Sequence, residues 1–166
     1  MIEAQRTVRS TCPYCGVGCQ MDLQVNDNRI YGVEAPFDVA PNYGRLCTKG
    51  RFGIDYVHHP SRLTNPLIRK DIEEKSRKPV GLEGFRKASW DEALELAADK
   101  LAEIVIRDGG DAVGTFCSAK ATNEDNYVFQ KFVRAVLRTN NVDHCARLCH
   151  AASVAGLQIA IGSSAL

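Results

Sequence analysis

Polar and apolar residues alternate along Gln20-Met21-Asp22-Leu23-Gln24-Val25, the pattern of a strand with one buried face. Asn26-Asp27-Asn28 carries turn chemistry, and Arg29-Ile30-Tyr31-Gly32-Val33 returns as a second strand. Thr7 to Thr11 reads as a short strand ahead of them, so the first third predicts a small antiparallel sheet. Pro36 to Asn42 is loop. Arg45 to about Val57 reads as a short helix ending at His58-His59-Pro60, where adjacent histidines suit a C-terminal cap better than a metal pair. Leu63 to Arg69 predicts a turn and a strand, Arg69 to Lys78 an exposed charged loop or hairpin, and Gly81 to Lys87 a returning strand.

The periodicity changes near Ala88. Ser89-Trp90-Asp91-Glu92 is a capping box, in which the serine oxygen and the glutamate satisfy each other's free amides. Trp90, Ala93, Leu94, Ala97, Leu101, Ile104 and Val105 follow at helical spacing, and Asp108-Gly109-Gly110 stops that helix. Asp111 to Cys117 is a short apolar run, as in a buried parallel strand. Thr122-Asn123-Glu124-Asp125 opens another helix, with Val128, Phe129, Phe132, Val133, Val136 and Leu137 as its core face. Asn140-Asn141 is a turn, Val142 to Cys145 a short strand, and His150 to Ala160 a helix. The fold expected is therefore α+β passing into α/β: a small antiparallel-sheet lobe (1–62), connecting strands and a charged loop (63–88), and the start of a doubly wound α/β domain (89–166).

Composition narrows the function classes. Of 166 residues, 45% are hydrophobic and 25% charged, the balance of an ordinary globular domain. The net charge of +1 gives no field that favours nucleic acid or an anionic membrane, and no apolar run approaches the ~20 residues of a membrane helix. The first residues lack the apolar core of a signal peptide, so a cytoplasmic location is expected. Seven cysteines in that setting point to metal or redox chemistry rather than disulfides.

Four of them stand out. Cys12-Pro13-Tyr14-Cys15-Gly16-Val17-Gly18-Cys19 is answered by Cys47 in Gly44-Arg45-Leu46-Cys47-Thr48-Lys49-Gly50. Four thiolates suffice for one metal centre, and the glycines let the chain curl so that amides face the sulfurs. Three ligands from one loop and a fourth from elsewhere is the habit of cubane iron–sulfur sites, with structural zinc as the rival. Lys49, one turn from the sulfurs, would favour thiolates and an anionic cofactor; the plainer reading is a solvated surface lysine.

A second candidate region follows the strands of the α/β part, where ligands bind at carboxyl ends. The loop Ser118 to Asn123 occupies one such position and Asn141 to His150 the next. Cys149, expected at a helix N-terminus, would be a thiolate nucleophile or a ligand to a soft metal, against the plainer reading of a structural cysteine. His150 has the chemistry of a general acid or base, and Cys117 and Cys145 read as structural.

Five motifs occur in order: Cys12 to Cys19, Gly44 to Phe52, Tyr56 to Leu63, Ser89 to Ala93, and Val142 to His150. Together they closely resemble the N-terminal part of the catalytic (alpha) subunit of molybdenum- or tungsten-dependent formate dehydrogenases, among the bis-molybdopterin guanine dinucleotide oxidoreductases. The resemblance implies a 4Fe-4S cluster on Cys12, Cys15, Cys19 and Cys47 in the first lobe, and a molybdopterin-binding domain beginning in the last part. It implies Lys49 on the electron path between cluster and pterin, Cys149 as ligand to molybdenum or tungsten, and His150 beside formate. Ser118 and Asn123 are taken as cofactor-binding positions. The implied reaction takes formate to carbon dioxide, a proton and two electrons, reversibly, with the cluster as relay.

The implied partners are redox subunits of iron–sulfur, flavin/NAD, ferredoxin, coenzyme F420 or hydrogenase type. Related nitrate reductases usually carry methionine where this chain has His150, and the metal-free complex I homologue lacks the Cys149-His150 pair. Such subunits run to several hundred residues, so the chain is expected to be a fragment, or to be completed by another polypeptide, and to bind the molybdenum cofactor poorly by itself. The reading from another class is a non-catalytic 4Fe-4S electron-transfer module.

Overall fold

The computed structural model describes residues 6–70 and 81–163; most of the charged run expected at 69–78 lies outside the described residues. Strands β1 (Arg6–Thr11), β2 (Gln20–Asn26) and β3 (Arg29–Glu34) form an antiparallel sheet in that order. Thr11 faces Gln20, and Leu23 sits between Val8 and Val33. Asp27 and Asn28 make the β2–β3 turn at φ 46° and 59°, a left-handed conformation these side chains tolerate. The alternation read in β2 is realised: Met21 and Val25 are buried on one face. Met21 and Val33 join Cys12 in a small core, against which Tyr14, Cys19, Leu23, Leu46 and Ile54 pack. The core of this part is thus the underside of the cysteine loop.

The helix expected over 45–57 is shorter and divided. Helix α1 (Thr48–Phe52) gives way to a 3-10 segment, Gly53–His58. The Tyr14 hydroxyl donates to the Gly53 carbonyl, a group that a continuous α-helix would offer to the Val57 amide. His58 ends the segment and His59 caps it, and each ring accepts a backbone amide: His58 Nε2 from Ile30 (2.9 Å) and His59 Nδ1 from Ser61 (3.1 Å).

Strands β4 (Leu67–Arg69) and β5 (Phe85–Lys87) pair antiparallel; β5 starts later than expected because Leu82–Gly84 coil into a 3-10 turn. Helix α2 (Trp90–Asp108) begins where Ser89 Oγ accepts the Glu92 amide at 3.1 Å. The Glu92 carboxylate turns chiefly to Arg86 (2.5 Å) while still accepting from the Ser89 amide, so the expected box is shared with a tie to β5.

Strands β6 (Thr115–Cys117) and β7 (Val142–His144) are parallel, with Cys117 opposite His144. The expected strand from Asp111 loses its first part to a 3-10 turn at Gly110–Ala112, and Phe116 is exposed. Helix α3 (Asn123–Phe132) carries a full capping box, Thr122 with Asp125, and widens into a π turn at Val133–Leu137. Of its expected core face only Val133 and Leu137 are buried; Val128, Phe129, Phe132 and Val136 are exposed. A single helical turn, α4 (Ala146–Cys149), precedes α5 (Ala151–Ile161), whose N-cap is His150. Among the described residues no helix is long and apolar enough to cross a membrane.

Candidate functional site

The cysteine loop closes on itself where the Cys12 amide donates to the Cys19 carbonyl at 2.8 Å. Gly18, at φ 76°, supplies the left-handed residue that this return requires. Cys12 is buried, Cys15 and Cys19 are partly buried, and Cys47 is exposed. Cys47 is brought in from 28 residues away as the N-cap of α1. A Cβ built on Gly50 would lie 3.4 Å from Cys12 Sγ, so the helix backbone runs directly beside the first thiol. Burial pushes the Cys19 thiol up, and the charges of Cys12, Cys15 and Cys47 push it further. The four sulfurs therefore share one electrostatic neighbourhood. Four thiols without disulfide partners are soft donors of the kind suited to an iron–sulfur core. Among the described residues no three His, Cys, Asp or Glu side chains converge on a single ion.

Cys47 is held the other way. The Gly50 and Lys49 amides point at its sulfur and lower its pKa without closing a full capping hydrogen bond, and the Lys49 ammonium adds to the effect. Lys49 is exposed, yet its charge is felt at the sulfur. The edge-to-face pair Tyr14–Tyr56 (centroids 6.4 Å apart, planes at 75°) and the Arg62 guanidinium over Tyr56 (5.0 Å) fasten the loop to the segment after α1.

The second candidate region lies at the carboxyl ends of β6 and β7. Asn126 organises the first loop: its Oδ1 accepts the Ser118 amide (3.0 Å), and its Nδ2 donates to the Ser118 and Thr122 carbonyls (both 2.9 Å). Ser118 Oγ accepts the Lys120 amide at 3.0 Å. Cys145 Sγ accepts the Ala119 amide at 3.1 Å, and that bond lowers its pKa. Cys145 therefore joins the two loops, a role its spacing did not reveal. Beside them opens a cavity of about 380 Å³ lined by Cys117, Asn123, Tyr127, Asp143 and His144 among others. Asn123 reaches across to the cysteine loop, where its Nδ2 donates to the Gly16 carbonyl at 2.8 Å.

Cys149 is placed differently from expectation. It is the last residue of α4, its amide donating to the Cys145 carbonyl at 3.0 Å, and so it precedes the α5 cap instead of opening that helix. Both Cys149 and His150 are exposed. Among the described residues no side-chain hydrogen bond joins either of them to Ser118, Asn123 or the cysteine loop.

Comparison with known proteins decides what this arrangement belongs to. Residues 5–59 match the molybdopterin oxidoreductase Fe4S4 domain, and residues 62–165 match the molybdopterin oxidoreductase domain. The chain belongs to the molybdopterin oxidoreductase family. Its two parts match the family's iron–sulfur domain and its molybdopterin oxidoreductase domain, so the cofactors are a 4Fe-4S cluster and molybdopterin. The chain is 49% identical over 160 residues to the F420-dependent formate dehydrogenase 1 subunit alpha of Methanococcus maripaludis, covering 96% of this chain and 21% of that protein. It is 42% identical over 161 residues to the F420-dependent formate dehydrogenase subunit alpha of Methanocaldococcus jannaschii, covering 97% and 22%. The chain thus spans about a fifth of the length of these relatives. The acetylene hydratase of Pelobacter acetylenicus has a similar fold, at a TM-score of 0.62 and 19% identity over 91% of this molybdopterin oxidoreductase chain and 20% of that one.

Proposed function

We propose that this molybdopterin oxidoreductase chain is the cluster-bearing N-terminal part of a formate dehydrogenase catalytic subunit, which takes formate to carbon dioxide, a proton and two electrons, reversibly. The observation that carries the reading is the approach of the helix start after Cys47 to the Cys12 thiol of the cysteine loop, in a chain that also presents Cys149-His150 after a parallel strand. The identity to two alpha subunits named as formate dehydrogenases supports it.

In this reading Cys12, Cys15, Cys19 and Cys47 hold the 4Fe-4S cluster, and the Cys149 thiolate holds molybdenum or tungsten of a bis-molybdopterin guanine dinucleotide. A soft thiolate suits a metal that already carries sulfur ligands and changes oxidation state. When bound, the pterin-held metal supplies a two-electron acceptor for the C–H bond of formate, and the cluster supplies a one-electron relay. The exposed His150 ring, at the cap of α5, orients the formate carboxylate or moves the released proton. The Lys49 ammonium offsets negative charge on the path between cluster and pterin. Ser118 and Asn123 flank the loop after β6, where the cofactor's polar edge would meet the chain. Electrons leave to a partner redox subunit, and the names of the two relatives make an F420-reducing partner the first to test. Seven unpaired cysteines fit a reducing, cytoplasmic setting.

The test is catalysis by the holoenzyme isolated with its cofactors. Formate oxidation with a viologen dye is expected, with iron and molybdenum or tungsten both present. Nitrate reduction without formate turnover, or iron with neither heavier metal, overturns the reading.

A further inference from the structure

Asn123 and Gly16 are 107 positions apart in sequence, yet the Asn123 carboxamide donates to the Gly16 carbonyl at 2.8 Å. Gly16 lies inside the cysteine loop, directly after Cys15. Its φ is not left-handed, unlike that of Gly18, so backbone twist does not demand glycine there. Space does. A Cβ at Gly16 would stand 2.5 Å from Asn123 Oδ1 and 3.3 Å from its Cγ, and the nearest atoms all belong to this one side chain.

Asn123 is itself well placed to act as a fixed point. It is the first residue of α3, and the residue before it is held by a reciprocal cap. Thr122 Oγ1 accepts the Asp125 amide at 3.1 Å, while Asp125 Oδ2 accepts the Thr122 amide at 3.2 Å.

A trans peptide turns its carbonyl and the following N–H in opposite directions. Fixing the Gly16 oxygen toward α3 therefore fixes the Val17 N–H away from α3. The direction of amides around the sulfurs is one of the levers a protein has on cluster potential. We propose that Asn123 is a positioning residue for the cluster: by holding the Gly16 carbonyl it sets the orientation of the Cys15–Cys19 backbone, and through it the reduction potential. The inference rests on the cluster assignment made above.

The experiment is a redox titration of the holoenzyme monitored by the paramagnetic signal of the reduced cluster, with iron counted in each variant. Asn123→Ala removes the donor, which frees the Gly16–Val17 peptide to turn and shifts the midpoint potential. The expected shift is about threefold in the reduced-to-oxidised ratio at fixed ambient potential, or about 28 mV for a one-electron couple. Asn123→Asp keeps the size, cannot donate when ionised and adds negative charge, so its potential falls. Should Asn123→Ala shed iron, this isosteric variant gives the reading. Gly16→Ala pushes the carboxamide away and is expected to shift the potential too, but to add nothing in the Asn123→Ala background.

Unchanged potentials at unchanged iron content overturn the inference. So does a Gly16→Ala shift that is the same with or without Asn123. A wild-type holoenzyme with no 4Fe-4S signal would instead sink the cluster assignment beneath it.

Discussion

The carboxamide of Asn42 is buried against Gln20 and takes both of that residue's backbone groups: Oδ1 accepts the Gln20 amide at 2.8 Å and Nδ2 donates to the Gln20 carbonyl at 3.1 Å. Gln20 follows Cys19 directly, and Asn42 lies in the loop that leads to Cys47. One side chain thus fastens the two cysteine-bearing segments to each other. Asn42→Ala leaves a partly buried amide and carbonyl without this partner, which costs about 1–3 kcal/mol. Denaturant unfolding of the holoenzyme is expected to show that loss together with easier loss of iron. Equal iron retention in variant and wild type would show that the fastening is unnecessary.

Tyr14 does similar work beneath the loop. Tyr14→Phe keeps the ring against Tyr56 and removes only the bond to Gly53, a loss of about 1 kcal/mol. Gly53→Ala is expected to be worse, since its methyl would meet the Tyr14 ring, whose Cζ stands 2.7 Å from the built Cβ. Thermal unfolding of the two variants ranks them.

Arg9 forks onto Asp22 across β1 and β2, with Nε to Oδ1 at 2.9 Å and Nη2 to Oδ2 at 3.1 Å. The hydrogen bonds and charge of Arg9 hold the Asp22 carboxyl below its ordinary value. A carboxylate with a depressed folded pKa contributes stability above its unfolded pKa, about 3.9, and loses it as pH falls through the folded value. Asp22→Asn is therefore expected to unfold at lower denaturant than wild type at pH 6. The two should converge as the pH drops below about 4. A gap that persists in acid would assign the difference to shape rather than charge.

Cys149→Ser tests the catalytic assignment separately from the cluster. Formate turnover by the holoenzyme is expected to be abolished, with the iron content and the visible absorption of the cluster retained. Substantial remaining turnover would remove Cys149 from the metal.

Much of the first part was legible because its signals are local. Alternation set β2, turn residues set the β2–β3 connection, and the cysteine spacing pointed to the loop. The helix expected over 45–57 ends early because Tyr14, far away in sequence, takes the Gly53 carbonyl. The helix expected from His150 begins one residue later, at Ala151, and an extra turn, α4, places Cys149 ahead of its cap. Cys145 was read as structural, and its sulfur bonds the Ala119 amide in the neighbouring loop. The core face expected on α3 is only partly realised, since periodicity reports what a helix offers and not what lies against it.

By itself the sequence determined which residues have the chemistry: soft sulfur donors at a spacing that one loop and one distant helix start can satisfy, and a cysteine–histidine pair after a strand. Those are matters of side-chain type and short-range chain geometry. Only the tertiary structure decided which groups meet. Asn42 on Gln20, Tyr14 on Gly53 and Asn123 on Gly16 are contacts between segments far apart in the chain. Their partners are backbone carbonyls and amides, which every residue carries and which therefore leave no mark in the sequence.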